Sequence, residues 1–310
     1  MNLRTMIHYV FGYGSLIDSE SRARTATALG GCGSSGGAIP VRLWNWVRLW
    51  NVKGSNTYLG VQKSKADFES IESNRRSLKS CVGVLFPLPS SNESDEALVA
   101  LDRRERAYTR HRVDLESIER IDHLLIEGKR STNTKEQQKQ MQAVYENYYE
   151  NTFLAGDESS SGNSKDAKAN TDVCVWIYVP KAHIAGMATT DNPILQSYVD
   201  VCLKGCLSIS KAFAKEFVEG TYGWYPGQAP NQSNAPNDTI LDDGDSSLSC
   251  WIDDRSNPIY VRANKEYSLK HAKELDAIFD PILLRRRSCQ LWCTNDSSKM
   301  IKRFFLDKET

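Results

Sequence analysis

Through the first 120 residues, short apolar runs are each closed by a chain breaker or a polar stretch. Residues 7–11 run into Gly12, and residues 81–86 are stopped by Pro87. Residues 58–62 form another short run, and residues 41–50 a longer aromatic one. Runs of this size bounded by Gly or Pro read as strands. Residues 111–118 alternate, with Val113 and Leu115 on one face and Asp114 and Glu116 on the other. That period of two is the mark of a half-buried strand. The first third of the chain is therefore expected to be strand-rich.

The remainder is more varied. Residues 173–179 are continuously apolar, as a central strand would be. Residues 192–219 read as one long helix. Asn192 is the expected N-cap and Pro193 the first helical position, and Leu195, Tyr198, Val199, Cys202, Leu203, Cys206, Phe213 and Phe217 recur at helical spacing. Residues 251–262 read as extended, and residues 268–279 as a helix. Two stretches interrupt this order. Residues 121–171 include a polar segment at 131–142, readable as a solvated helix, and a Ser-, Gly-, Lys-, Asp- and Asn-rich segment at 155–170; residues 227–249 are full of Asn, Pro, Asp and Ser. Such compositions bury too little apolar surface to offset the entropy of ordering, so flexible surface insertions are expected. The expected organisation is one mixed domain over residues 1–310, with a low-complexity insertion at 121–171, a flexible loop at 227–249 and a C-terminal extension at 251–310 packing on the core.

Composition narrows the partners. The chain has 310 residues, 40% of them apolar, enough for a sizeable core. Lys plus Arg and Asp plus Glu are balanced at 39 each, which lends nothing to nucleic-acid or membrane-surface binding. The basic run Arg285-Arg286-Arg287 reads as a helix end or solvated face. No stretch approaches the roughly 18–20 apolar residues needed to span a bilayer, and the run at 7–11 is too short for the apolar region of a signal peptide. A cytoplasmic location is expected. The eight cysteines include pairs at 202/206 and 289/293, neither with zinc-ligand spacing and neither near a His cluster. They read as buried reduced thiols, with no metal site.

Three places bear residues of chemical interest. Phe11-Gly12-Tyr13-Gly14-Ser15-Leu16 follows a strand directly. Its glycines permit a sharp turn that presents N–H groups outward, a cradle for a carboxylate or phosphate. A dinucleotide fingerprint would need glycine at Ile17, and a P-loop would need Gly-Lys-Ser/Thr; neither is present. A plain structural turn is the remaining alternative. In a helix read over residues 95–108, Leu98, Leu101 and Tyr108 form one stripe, and Glu105 falls inside it, with Arg103, Arg104 and Arg106 pointing elsewhere. A carboxylate on a buried face is costly unless paired or used, and burial raises its pKa toward that of a general base. A structural ion pair with an arginine from elsewhere is the competing reading. Tyr198 lies on an apolar helix face, where a tyrosine is ordinarily core.

Taken together these segments resemble one family. Phe-Gly-Tyr-Gly-Ser-Leu after the first strand resembles the opening motif of the gamma-glutamylcyclotransferases, in particular their ChaC-like, glutathione-degrading branch within the wider AIG2-like group. Leu101-Asp-Arg-Arg-Glu105-Arg-Ala-Tyr108 resembles the segment carrying their catalytic glutamate, with the tyrosine one residue closer. Pro193, Tyr198 and Gly205 are similar to their Pro…Tyr…Gly helix. The His-Arg-Gly element of the ChaC-like branch has no counterpart; Asn51-Val52-Lys53-Gly54 stands there, and Trp251–Ile252 with the residues to Arg262 matches neither branch.

The resemblance implies an α+β fold, a small mixed-strand barrel with flanking helices. It implies an enzyme that cyclises a γ-glutamyl group to 5-oxoproline and releases an amino acid, dipeptide or amine, without cofactor or metal. Glu105 would be catalytic, and Tyr13, Gly14, Ser15, Leu16 and Tyr198 would bind a small γ-glutamyl substrate such as glutathione. A non-catalytic binding module of the same fold and a γ-glutamylamine cyclotransferase are the alternatives.

Overall fold

The computed structural model describes residues 5–25, 38–64, 79–89, 92–121, 171–225 and 250–287. The polar segments predicted at 131–142, 155–170 and 227–249 lie outside the described residues.

The strands form two mixed sheets. The first is ordered β6-β8-β1-β5-β2-β7. At its centre β1 (Thr5–Gly12) runs parallel to β8 (Thr171–Pro180) and antiparallel to β5 (Ser80–Pro87). Beyond them lie β2 (Ile39–Trp44), β6 (Tyr108–Val113) and β7 (Ile118–Arg120). The second sheet is ordered β10-β3-β4-β9-β11. It is built on the antiparallel pair β3 (Trp46–Lys53) and β4 (Thr57–Lys63). Three two-residue strands extend it in parallel: β9 (Ile194–Leu195), β10 (Thr221–Tyr222) and β11 (Trp251–Ile252). Together with several helices this is an α+β architecture.

The aromatic run at 41–50 was expected to be one strand and is two. Asn45 adopts φ 65°, a left-handed conformation that Asn tolerates better than most residues. It turns the chain out of the first sheet at Trp44 and into the second at Trp46. The alternating run at 111–118 is also divided. It pairs with β8 as far as Val113, then passes through a 3₁₀ turn at Leu115–Ser117, where Leu115 is exposed. The apolar run at 173–179 is central, as expected, held by β1 on one side and β6 on the other.

The short helix α1 (Ser19–Ala23) follows β1, and α2 (Asn92–Arg104) follows β5. The long helix predicted at 192–219 starts later and breaks once, giving α3 (Gln196–Ile209) and α4 (Lys211–Glu219). Ser210 ends the first and caps the second, its hydroxyl accepting from Phe213 N–H. Asn192 and Pro193 precede β9 instead of capping the helix, because Ile194 and Leu195 pair with Trp251 and Ile252.

The C-terminal helix predicted at 268–279 is replaced by α5 (Lys265–Lys270), α6 (Ala272–Asp276) and α7 (Pro281–Arg285). Trp251 and Phe279 pack on Trp224 in tilted and edge-on contacts and so join this segment to the core. The basic run is not a uniformly solvated face, since Arg287 forms a double ion pair with Asp276 at 2.8 and 2.9 Å. The five described cysteines, at 81, 174, 202, 206 and 250, are buried free thiols. Among the described residues no helix is long and apolar enough to cross a membrane.

Candidate active site

The turn at residues 13–16 leaves the end of β1 and is held from below. The Tyr13 hydroxyl donates to the Tyr178 carbonyl on β8 at 2.6 Å. Ile17 N–H donates to the Gly14 carbonyl at 2.9 Å, closing the turn. One guanidinium nitrogen of Arg22 donates to the carbonyls of Leu16 and Ile17, at 2.8 and 2.9 Å. The fully buried Arg48 reaches the Tyr13 carbonyl at 3.4 Å and donates to Val82 and Phe217 carbonyls at 2.7 Å each. The carbonyls of Tyr13, Gly14, Leu16 and Ile17 are thus taken up internally. Among the described residues nothing accepts from the N–H groups of Gly14, Ser15 and Leu16.

Helix α3 lies directly against the far end of this turn. A β-carbon on Gly205 would stand 2.5 Å from Asp18 N and 2.7 Å from the Ile17 carbonyl carbon, so only glycine allows this approach.

The structure corrects the surroundings of Glu105. Helix α2 ends at Arg104, and Tyr108 begins β6 instead of completing a helical stripe. Glu105 N–H still bonds the Leu101 carbonyl at 2.8 Å, and Glu105 in turn accepts from Tyr108 N–H at 2.8 Å. A turn therefore replaces the last part of the predicted helix. The pairing of residues 108–113 with β8 outweighs the local helical pattern.

Arg104 does not point elsewhere. Its Nε stands 2.9 Å from Glu105 Oε1, and its side chain is only 5% exposed. It also donates to Ser15 Oγ at 3.0 Å, to Ser21 Oγ at 3.1 Å, to the Ser21 carbonyl at 2.8 Å, and to Thr25 Oγ1. One guanidinium therefore ties the glutamate to the glycine turn. Burial pushes the Glu105 carboxyl above its ordinary pKa, against the opposing pull of the Arg104 and Arg262 charges.

Tyr198, in the first turn of α3, meets the glycine turn from the other side. Its hydroxyl occupies the space beside Gly14, 2.9 Å from where a β-carbon would lie. Its ring is enclosed by Trp50, Tyr58 and Tyr260, with centroids 5.7, 5.3 and 4.8 Å away. Leu195 at the N-cap offers no side-chain cap. The cap comes instead from Asp254, which accepts from Ser197 N–H at 2.7 Å and from Ser197 Oγ at 2.5 Å. Burial holds the Tyr13, Tyr108 and Tyr198 hydroxyls well above their ordinary pKa, and the Glu105 charge pushes all three the same way. The three tyrosines, the glycine turn and the glutamate thus share one electrostatic environment.

The residues singled out in the sequence therefore converge. Those missed are Arg104, Arg48, Tyr58, Tyr260 and Arg262. Arg104 was misplaced by extending the helix too far. Tyr260 and Arg262 stand in a segment without motif or period, and nothing in the sequence links it to the turn at 13–16. Tyr260 is nevertheless buried against Tyr198; burial raises the pKa of its hydroxyl, against the opposing effect of the neighbouring Ser15 side chain. Two surface recesses flank the cluster without enclosing it, one including Arg262 and the other Tyr108.

Fold and site together define an α+β protein in which a partly buried glutamate adjoins a glycine turn and a tyrosine cluster. No protein-family profile matches the sequence, and no curated protein matches it. Among solved structures the chain is similar in part to YkqA from Bacillus subtilis, at 16% identity and a TM-score of 0.36. That likeness covers 69% of this chain and 53% of the other, so the chain spans about half of YkqA. It is also similar to two structures of the yeast gamma-glutamyl cyclotransferase specific to glutathione. One has 14% identity and a TM-score of 0.29, covering 56% of this chain and 69% of that one. The other has 11% identity and a TM-score of 0.28, covering 69% and 97%.

Proposed function

We propose that this protein is a γ-glutamyl cyclotransferase, with its two sheets forming the walls of the barrel-type fold expected of that family. The observation that carries the reading is the Arg104 bridge, 2.9 Å to Glu105 and 3.0 Å to Ser15, which joins a base of raised pKa to a turn whose N–H groups at Gly14, Ser15 and Leu16 meet no acceptor among the described residues. Motif order in the sequence supports the same reading.

In this reaction the N–H groups of residues 13–16 hold the substrate's α-carboxylate, and the Tyr198 hydroxyl adds a hydrogen bond. The flexible γ-glutamyl chain is thereby folded back on itself. Well-oriented intramolecular reactions gain effective molarities on the order of 10⁵–10⁸ M. Glu105 takes a proton from the α-ammonium, and the freed amine attacks the γ-carbonyl carbon. The new C–N bond closes the five-membered ring as the γ-amide C–N bond breaks. Glu105 returns the proton to the departing nitrogen, and the second proton, shed by the ring nitrogen as the lactam forms, passes to the released amine, giving 5-oxoproline and an ammonium-bearing leaving half. A carboxylate held protonated too easily would not accept the first proton; the Arg104 and Arg262 charges favour its ionised form, while burial keeps it basic enough to alternate. No cofactor enters this scheme, and a cytoplasmic setting would supply its substrates.

The test is 5-oxoproline release from glutathione, a γ-glutamyl amino acid and ε-(γ-glutamyl)-lysine by wild type and Glu105→Gln. Release that falls at least about 100-fold in the variant is expected, since general acid–base catalysis contributes roughly 10²–10⁴-fold. No release by folded wild type, or equal turnover by the variant, would overturn the reading.

A further inference from the structure

The segment from Trp251 to Arg262 matches neither branch of the resembled family, yet it takes hold of the helix that carries Tyr198. The N-cap residue of α3, Leu195, has no side chain that can cap. The polar side chains at the start of α3 are engaged from the C-terminal residues instead. Asp254 Oδ1 accepts from Ser197 N–H at 2.7 Å, and its Oδ2 accepts from the Ser197 hydroxyl at 2.5 Å. Arg255 is locked to Asp200 at 2.8 and 2.9 Å, and Arg287 donates to Gln196 Oε1 at 3.0 Å.

Capping alone needs one acceptor oxygen. Asp254 uses both, and the second reaches further. Its Oδ2 also accepts from Ile259 N–H at 2.9 Å, while the Ser197 hydroxyl that it holds accepts from Tyr260 N–H at 3.2 Å. Asp254 is 2% exposed and Ser197 is fully buried, so these bonds are shielded from water. One carboxylate therefore fixes two pieces of backbone, the residue before Tyr198 and Tyr260 itself. The Tyr260 ring in turn stands edge-on to Tyr198, 4.8 Å between centroids. At the far end of the Tyr198 ring, the hydroxyl lies beside Gly14. The place of that hydroxyl thus depends on Ser197 twice, through the backbone that precedes it and through the ring beside it.

We propose that Asp254, acting through Ser197, is a positioning residue that sets the Tyr198 hydroxyl at the glycine turn, so that the C-terminal segment is a working part of the site. Its effect on turnover rests on the reading above. Asp254 is not a substrate contact in that scheme. Its loss is felt because Tyr198 moves, and displacing an orienting group by about 1 Å can cost on the order of 100-fold in rate.

Two measurements test it. The first is 5-oxoproline release from γ-glutamyl-alanine by wild type, Ser197→Ala and Asp254→Asn, each with and without Tyr198→Phe. Ser197→Ala keeps the bond from residue 197 N–H to Asp254, so the helix stays capped. Both variants are expected to lower kcat by roughly 10- to 100-fold with KM within about threefold. Added to Tyr198→Phe, either should cost no more than about twofold further, because residues that act as a unit are not additive. Phe279→Leu loosens the same segment where it packs on Trp224 and Trp251, away from Ser197, and should leave kcat within about twofold.

The second measurement needs no substrate. Gly14→Ala is compared with the Gly14→Ala, Ser197→Ala double variant by urea unfolding. With Ser197 in place the Tyr198 hydroxyl is held against the new methyl; without it the ring can give way, so the drop in urea midpoint caused by Gly14→Ala should shrink by about half or more. Turnover with equal fold-losses in the presence and absence of Tyr198→Phe would mark Asp254 and Ser197 as structural, overturning this inference and leaving the cyclotransferase reading standing. No turnover by wild type, with the smaller Gly14→Ala drop observed, would overturn the reaction and keep Asp254 and Ser197 as the pair that places Tyr198. An undiminished drop would overturn the inference whatever the turnover.

Discussion

The hydroxyl of Tyr198 stands 2.9 Å from the point where a β-carbon on Gly14 would be, so a residue in a helix sets how large residue 14 can be. The contact joins elements 184 positions apart in the chain. It makes the glycine a matter of space, since no left-handed backbone conformation is required at Gly14.

Gly14→Ala should therefore destabilise the protein by about 1–3 kcal/mol, the usual cost of overpacking. Tyr198 cannot swing away, because Trp50, Tyr58 and Tyr260 enclose its ring. Removing the hydroxyl with Tyr198→Phe should relieve the clash. Urea unfolding of both single variants and the double variant should show a favourable coupling of about 0.5–2 kcal/mol. Strict additivity would count against the close approach.

Gly205→Ala separates helix propensity from packing. Propensity alone would stabilise an exposed helix by about 1 kcal/mol. Here the new methyl meets the backbone of Ile17 and Asp18, which are fixed by Arg22 and by the start of α1. A net loss of about 1–3 kcal/mol is expected in urea unfolding.

Asp254→Ala should cost about 2 kcal/mol or more, because it removes the distant cap of α3 and leaves Ser197 without its acceptor. Asp254→Asn should lose less, since one acceptor oxygen remains. The urea midpoints of the two variants, compared with wild type, measure this.

The raised pKa of Glu105 has two consequences with defined signs. Because the folded state holds the proton more tightly than the unfolded chain, wild type is favoured below the unfolded carboxylate pKa and loses that stability as pH rises through the folded value. Wild type minus Glu105→Gln, followed by urea unfolding from pH 4 to 8, should decline with pH and then level off. A difference that rises with pH would mean that the carboxylate is stabilised in its charged form.

Removing the Arg104 charge should push the Glu105 pKa further up, because a nearby cation favours the carboxylate. The acid limb of kcat/KM for 5-oxoproline release should then move to higher pH in Arg104→Gln. A limb that stays in place while the rate falls would assign Arg104 to holding Ser15 alone.

The sequence by itself determined the strand-rich first third, the centrality of residues 173–179, the glycine turn and the unusual position of Glu105. The first three are local, since an apolar run or a breaker is legible from neighbouring residues; Glu105 was singled out by a helical stripe that the structure breaks at Arg104. Tertiary structure decided where elements end and which distant ones meet. Pairing with β8 drew Tyr108 out of the helix, and pairing with β11 drew Ile194 and Leu195 out of another. The cap of α3 is supplied by Asp254, 57 residues from Ser197, and Tyr260 reaches Tyr198 on that same segment. Such contacts have no local signature, since the bonding capacity of a side chain is written in the sequence and the identity of its partner is fixed only by packing.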